Sequence, residues 1–308
     1  MLNESKSKPL VSIVMNCFNG EKYLQEAICS ILKQTYQNFE LIFWDNQSTD
    51  NSAVIFNSYD DLRLKYFLSE KHTLLYNARN LALEKSSGEF ITFLDVDDFW
   101  VPDKLEKQLP LFDDKLVGLV YGNYLEIDEQ KGKQQLMSSA RLPTGYIVDE
   151  LLRNYVVGLL TIMIRRSAFD DLKKPFDNRF HIIGDFDLVI RMSVNCKVDC
   201  IQDAIASYRR HGGNESQKHR DYFIKEMLIW SSEMRYEQAF KDKQEVWEKY
   251  YLYLYHTAIL EKIQGVNIVR LFSILTALPL GFMKIKLMMI ILMPNFLFSF
   301  ISKIRLSR

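Results

Sequence analysis

The chain has 308 residues and a mass of 36.3 kDa, enough for one large α/β domain with an appendage or for two modest domains. Hydrophobic residues make up 48% and charged residues 25%, which excludes a disordered or fibrous chain and supplies a sizeable core. Basic and acidic residues number 39 each, so the chain carries no bulk electrostatic footprint for nucleic acid.

The opening residues, MLNESKSKPL, contain lysines but no apolar h-region, so they do not read as a signal peptide and the body is expected in the cytosol. Val11–Met15 is a short β-rich run that leads into the turn-forming loop Asn16-Cys17-Phe18-Asn19-Gly20. Leu24, Ala27, Ile28 and Ile31 then recur at helical spacing. Phe39–Trp44 predicts a second strand ending at Asp45-Asn46-Gln47-Ser48-Thr49-Asp50, and Leu64–Leu68 a third. A helix follows from about Leu74 to Lys85, and a fourth strand, Glu89–Leu94, runs into Asp95-Val96-Asp97-Asp98. This alternation predicts a mostly parallel sheet covered by helices, with ligands beyond the carboxyl ends of its strands. The three polar clusters at those ends are expected to share one cleft.

The middle is less regular: strands are expected at Leu116–Tyr121 and Leu160–Ile164, and helices at Tyr146–Arg153 and Asp185–Ser193. Of the four cysteines, Cys17, Cys29, Cys196 and Cys200, the last two are spaced to share a helix face. No partner at zinc-site spacing accompanies them, so all four read as free thiols in a reducing compartment. Beyond His219 the chain reads as helix, with stripes at Phe223, Met227, Trp230 and Met234 and at Trp247, Tyr250, Leu254 and Ala258.

Charge is unevenly distributed. Residues 266–308 hold six basic side chains (Arg270, Lys284, Lys286, Lys303, Arg305 and Arg308) and no acidic one, leaving 33 basic against 39 acidic residues, a net charge of −6, in residues 1–265. The uncharged runs Leu271–Met283 and Leu287–Ser302 are each shorter than the roughly 20 residues of a spanning helix. Two interfacial or re-entrant helices, with lysines at anionic headgroups, fit this tail better than a transmembrane hairpin or a tail packed on its own domain.

Asp95 and Asp97 end a strand, where alternation would put both on one side. Carboxylates gathered at a cleft repel each other unless a cation joins them, and Mg²⁺ or Mn²⁺ bridging to a diphosphate resolves the repulsion. A solvated turn with a helix cap is the structural alternative. Asp45 would either accept a hydrogen bond from a base or sugar or cap the next helix. Arg79 would bind a base, buttress the acidic cluster or lie on the surface. In Gly184-Asp185-Phe186-Asp187-Leu188 an acid opens a helix, as either a general base or a cap. Tyr208-Arg209-Arg210-His211-Gly212-Gly213-Asn214-Glu215-Ser216 reads as a loop that can close over phosphates.

Taken together, PLVSIVMNCFNGEKYLQEAICSILKQTYQNFELIFWDNQSTDNS, ARN, SSGEFITFLDVDDFWVPDKLEKQ, GDFDLVIRMS and YRRHGGNES, in order over about residues 9–216, resemble the family 2 inverting glycosyltransferases. The resemblance implies a GT-A fold, a Rossmann-like sandwich with a mostly parallel central sheet, over residues 1–218. A helical extension at 219–265 and a basic, apolar, membrane-associating segment at 266–308 would follow. It implies that Asn16, Phe18, Asn19, Asp45, Arg79, Asp95 and Arg209 bind the nucleotide-sugar, and that Asp97 and His211 hold Mn²⁺ or Mg²⁺. Asp185 would be the catalytic base and Asp187 a supporting residue. Four positions depart from the family pattern: Phe18 replaces a commoner Tyr, Asn46-Gln47 an Asp-Gly, His72–Leu75 a glycine-rich stretch, and Gly184 a Glu.

The implied activity is sugar transfer from a UDP-sugar to a saccharide or lipid-linked saccharide hydroxyl in polysaccharide or lipid-linked glycan synthesis. The implied location is the inner face of the cell membrane, with peripheral attachment. A catalytically silent nucleotide-sugar-binding scaffold and a sugar nucleotidyltransferase are the alternatives, although Asn16–Gly20 lacks the latter's glycine-rich basic loop. A dehydrogenase is disfavoured, since no GxGxxG follows the first strand.

Overall fold

A computed structural model describes residues 8–172, 174–214, 220–241, 243–263 and 268–294. Glu215 and Ser216 of the basic loop, and Lys303, Arg305 and Arg308 of the tail, lie outside the described residues. The chain divides into two compact units, Met1–Arg220 and Asp221–Arg308.

The first unit opens with four strands and three helices in alternation: β1 (Val11–Cys17), α1 (Glu21–Leu32), β2 (Phe39–Asp45), α2 (Ser52–Asn57), β3 (Leu64–Leu68), α3 (Leu75–Leu83) and β4 (Phe90–Phe93). The residues of β1, β2 and β4 are all buried, which is why these strands read as continuous apolar runs. Leu24, Ala27, Ile28 and Ile31 of α1 pack into the same core. The strands lie parallel in the order β3-β2-β1-β4. Cys17 pairs with Asp45, and Asp45 with Leu68, so the carboxyl ends stand level.

Glu40 ties these strands together. It accepts hydrogen bonds from Ser12 of β1 at 2.6 Å, from Lys65 of β3 at 2.6 Å and from the Ser87 N–H just before β4 at 2.6 Å. Burial pushes its carboxyl up, but these donors win and hold it down at about 2.

The sheet continues with β5 (Phe99–Trp100), β6 (Val117–Asp128), β7 (Lys133–Leu136), β8 (Met163–Arg165) and β9 (Lys197–Arg210), in the order β4-β8-β6-β9-β5 with β7 on β6. Helices α4 (Lys104–Gln108), α5 (Val148–Arg153), α6 (Arg166–Asp170) and α7 (Gly184–Asn195) are interspersed. The expectation of a mostly parallel sheet therefore needs correction. Pairing is parallel among the first four strands and between β6 and β9, but antiparallel at β4–β8, β6–β8, β6–β7 and β5–β9. The reason lies in the connections: helical crossovers join the first four strands, whereas direct returns such as β6–β7 reverse the chain.

Two local expectations also change. Tyr208–Arg210 belong to β9, so the basic segment is a strand end followed by a turn rather than a loop throughout. Cys196 follows the last turn of α7 and Cys200 lies on β9, so they do not share a helix face.

In the second unit, α8 (Arg220–Met234) and α9 (Gln244–Ile263) are followed by α10 (Ile268–Ala277) and α11 (Phe282–Leu292). Trp230, Phe240 and Trp247 form an aromatic cluster, and the Tyr250 hydroxyl donates to Met227 O at 2.8 Å. Leu271, Ile274, Leu275 and Leu278 are buried, and α9, α10 and α11 pack mutually. No helix among the described residues is long and apolar enough to cross a membrane. Lys284 donates to Leu278 O at 2.9 Å, satisfying a carbonyl at the end of α10 rather than reaching away from the unit.

Candidate active site

The loop after β1 faces the loop after β2. Asn16 is buried, and neither its Oδ1 nor its Nδ2 has a hydrogen-bond partner among the described residues. A buried amide with four unused bonding directions is costly in isolation and suited to a ligand. Phe18 is 51% exposed, with its ring 4.3 Å from that of His72. Asn19 adopts φ 56° and fastens the two loops: its Oδ1 accepts from Thr49 N at 2.8 Å and its N–H donates to Ser48 Oγ at 3.1 Å. Asp45 is buried, and both its oxygens are engaged, one by Ser48 N at 2.7 Å and the other by the Tyr66 hydroxyl at 2.7 Å. Asn46 holds the chain beyond β3, donating to Thr73 O at 2.8 Å.

The acidic run differs from a strand end. β4 stops at Phe93, and Asp95–Asp98 form a turn closed by Asp98 N–H to Asp95 O at 3.2 Å. The turn sends Asp95 and Asp97 to different partners rather than to one strand face. Asp95 meets the buried Arg79 guanidinium at 2.7 and 2.9 Å. Asp97 meets His211 Nε2 at 2.9 Å and Asn214 Nδ2 at 3.2 Å. Gly213 N–H donates to His211 Nδ1 at 3.0 Å, which holds the ring with Nε2 toward Asp97. Burial, reinforced by the charge of Asp95, raises the Asp97 carboxyl from its ordinary value.

Pairing of β5 with β9 sets this arrangement. It brings Arg209 N–H to the buried Asp98 carboxylate at 2.9 Å and leaves His211 just past the strand end. The Arg209 side chain is wholly committed: Nε donates to Asp97 O at 3.0 Å, and its terminal nitrogens to Glu129 at 3.1 Å and Glu26 at 2.5 Å. Through Asp97 O it braces the acidic turn.

Across the site, Asp185 lies in the first turn of α7. Its Oδ1 accepts from Phe186 N–H at 2.8 Å and lies 3.2 Å from the Tyr76 hydroxyl. Burial raises the Asp185 carboxyl; the charge of Arg79, the Phe186 N–H and the Tyr76 O–H only partly offset it. Asp187 is paired with Arg191 at 2.8 Å, and Arg191 in turn donates to Lys174 O and Pro175 O. Tyr155 packs edge-on to Phe186 at 5.1 Å, and its buried hydroxyl has no partner among the described residues.

Asp185, Tyr76, Arg79, Asp95, Asp97 and His211 thus form one electrostatically connected series. Sequence reading assigned no role to Tyr76 or Tyr155, and named Asn214 only as part of the basic segment. Of the first two, only Tyr76 left a signal, three residues before Arg79 and so on the same face of α3. No group of three or more His, Cys, Asp or Glu side chains that could hold a metal occurs among the described residues. Asp97 and His211 are two hard or borderline donors, a set that fits Mg²⁺ or Mn²⁺ when phosphate oxygens complete the shell.

Parallel strand ends that gather a loop with an orphan amide, an acidic turn and a helix-start carboxylate define a GT-A-type α/β fold. The family described as Glycosyl transferase family 2 matches residues 12–191, and the chain belongs to it. UDP-Glc:alpha-D-GlcNAc-diphosphoundecaprenol beta-1,3-glucosyltransferase WfgD of Escherichia coli is 35% identical over 167 residues. That match covers 54% of this chain and 64% of WfgD, under two thirds of the relative's length. WfaP of Escherichia coli, described as having the same activity, is 36% identical over 224 residues, covering 72% of this chain and 86% of WfaP. The crystal structure of S. aureus TarS 1–349 in complex with UDP-GlcNAc superposes with a TM-score of 0.68 at 21% identity, covering 87% of this chain and 81% of that one, and so shares the fold.

Proposed function

We propose that the chain transfers a sugar from a UDP-sugar to an acceptor hydroxyl, with inversion at the anomeric carbon, in cell-surface polysaccharide or lipid-linked glycan synthesis. The observation that carries this reading is the half-buried Asp185 carboxylate in the field of the Arg79–Asp95 pair, with Asp97–His211 beyond it. The donor specificity is supported by WfgD and WfaP, whose names specify UDP-Glc and a lipid-diphosphate acceptor.

Phe18 offers an open ring for the base, and Asn16 the unused amide beside it, while Asn19 and Asp45 hold the two loops to shape. Arg79 keeps Asp95 in place at the edge of the donor site, and Arg209 braces the turn. Asp97 and His211 would hold Mn²⁺ or Mg²⁺, which when bound supplies positive charge to the leaving diphosphate. Asp185 takes the acceptor's proton as its oxygen attacks the face of the sugar opposite the diphosphate. Inversion follows from having one base and one displacement; Asp187, held by Arg191, is not a second reacting carboxylate. We place the body against the inner face of the cell membrane through residues 266–308, with residues 219–265 as a helical extension of the catalytic domain at 1–218.

The decisive experiment compares Asp185→Asn with the unaltered protein, measuring UDP binding by calorimetry and UDP release from UDP-glucose in the presence of a GlcNAc-diphospholipid. Binding is expected to survive while turnover falls about 10²–10⁴-fold. Near-normal turnover of the variant, or binding without turnover in the unaltered protein, overturns the assignment.

A further inference from the structure

We propose that Tyr76 is a positioning residue for Asp185, and that position 184 is a glycine because the Tyr76 ring occupies the space a side chain there would need. The proposal rests on reading Asp185 as the base, and goes beyond it by assigning how that base is held.

The Tyr76 ring is buried, lying 5.2 Å from the Phe176 ring, with the Arg79 guanidinium 5.2 Å from its centroid. A Cβ built on Gly184 would stand 2.6 Å from ring carbons Cδ2 and Cε2 and 2.7 Å from Cγ. Those atoms belong to the body of a clamped ring, so it cannot swing aside as a flexible chain end would. Tyr76 and any side chain at 184 exclude each other.

The ring delivers its hydroxyl to the start of α7, where its hydrogen is shared between Ile182 O at 2.9 Å and Asp185 Oδ1 at 3.2 Å. The Phe186 N–H approaches the same Oδ1 from the backbone at 2.8 Å. Two donors on one oxygen fix the carboxylate's rotation. Neither donor is itself a reacting group; each acts through Asp185.

Tyr76→Phe keeps the ring and removes only the hydroxyl. In the UDP-glucose assay, kcat is expected to fall about tenfold with the donor KM unchanged. The O–H bond favours the charged carboxylate, so its loss moves the acidic limb of kcat to higher pH. The Asp185 ¹³C-carboxyl titration, assigned by its absence in Asp185→Asn, should move the same way whatever the acceptor. An unmoved titration and limb in a folded Tyr76→Phe, with Asp185→Asn inactive, overturns the positioning role and leaves the base standing. An active Asp185→Asn overturns both.

Gly184→Ala tests the packing separately. It should lower kcat and melting temperature beside Tyr76 and cost little in a Tyr76→Ala background; equal cost in both backgrounds overturns the claim about position 184.

Discussion

Asp97 shows how a single carboxylate can be both costly and useful. Its neighbours are Asp95, which opposes its charge, and His211 and Asn214, which accept part of the burden. A divalent cation would relieve that opposition, so metal and nucleotide should bind together. In calorimetric titrations of UDP with and without Mn²⁺, Asp97→Ala is expected to abolish the Mn²⁺-dependent gain in affinity, about 10- to 100-fold. A variant that keeps the full gain would remove Asp97 from the metal site. The pairing of Asp97 with His211 was legible because both lie in recognisable stretches. The commitment of Asp45 and Arg209 to protein partners was not, since Tyr66, Glu26 and Glu129 are placed by folding rather than by spacing.

Among the elements, the four parallel strands depend on more than apolar burial. Glu40 draws donors from β1, β3 and the approach to β4, and these lower its carboxyl to about 2 from an ordinary value near 4.5. Such a group stabilises the fold fully above its unfolded value and loses that contribution as pH falls toward 2. The shift corresponds to about 3 kcal/mol. Urea unfolding at pH 7 should therefore show Glu40→Gln less stable by roughly that amount, with the gap narrowing at pH 3; a gap that is constant with pH would assign the loss to packing alone. β1, β2 and β4 were readable because burial on both faces leaves continuous apolar runs, and the half-exposed β3 because its residues are mostly apolar and aromatic. β9 was not, because its polar residues, such as Asp199, Gln202 and Asp203, interrupt the run while its register slips against β6. Strand direction, set by connections rather than by composition, was invisible beyond β4.

For the whole molecule, the question is what the second unit does with its apolar surface. Helix α11 exposes Phe282, Ile285, Met288, Met289 and Leu292 while burying Leu287 and Ile291. Lys286 lies 6.0 Å from the Phe282 ring centroid, a basic residue beside that exposed face. Flotation with vesicles of anionic and of zwitterionic lipid should recover the protein with the anionic set, less so at high salt. Phe282→Ser with Met289→Ser should weaken recovery severalfold. Equal absence from both vesicle types would remove the membrane from the reading of this segment. Composition revealed the oily, basic character of residues 266–308; it did not reveal that Leu271, Ile274, Leu275 and Leu278 turn inward.

The contact between Asp97 and His211 closes across 114 residues, and that between Tyr76 and Asp185 across 109. Closing loops of this length adds little to the cost of the finished fold but delays its assembly. At ordinary rates of synthesis the acidic turn leaves the ribosome on the order of ten seconds before the histidine that meets it. The residues of β1 to β4, with Asn16 and Phe18, are therefore made well before Asp185 or a complete Asp97–His211 pair. On the proposed reading, the residues assigned to the chemistry are completed only by the last stretch of this unit to be made.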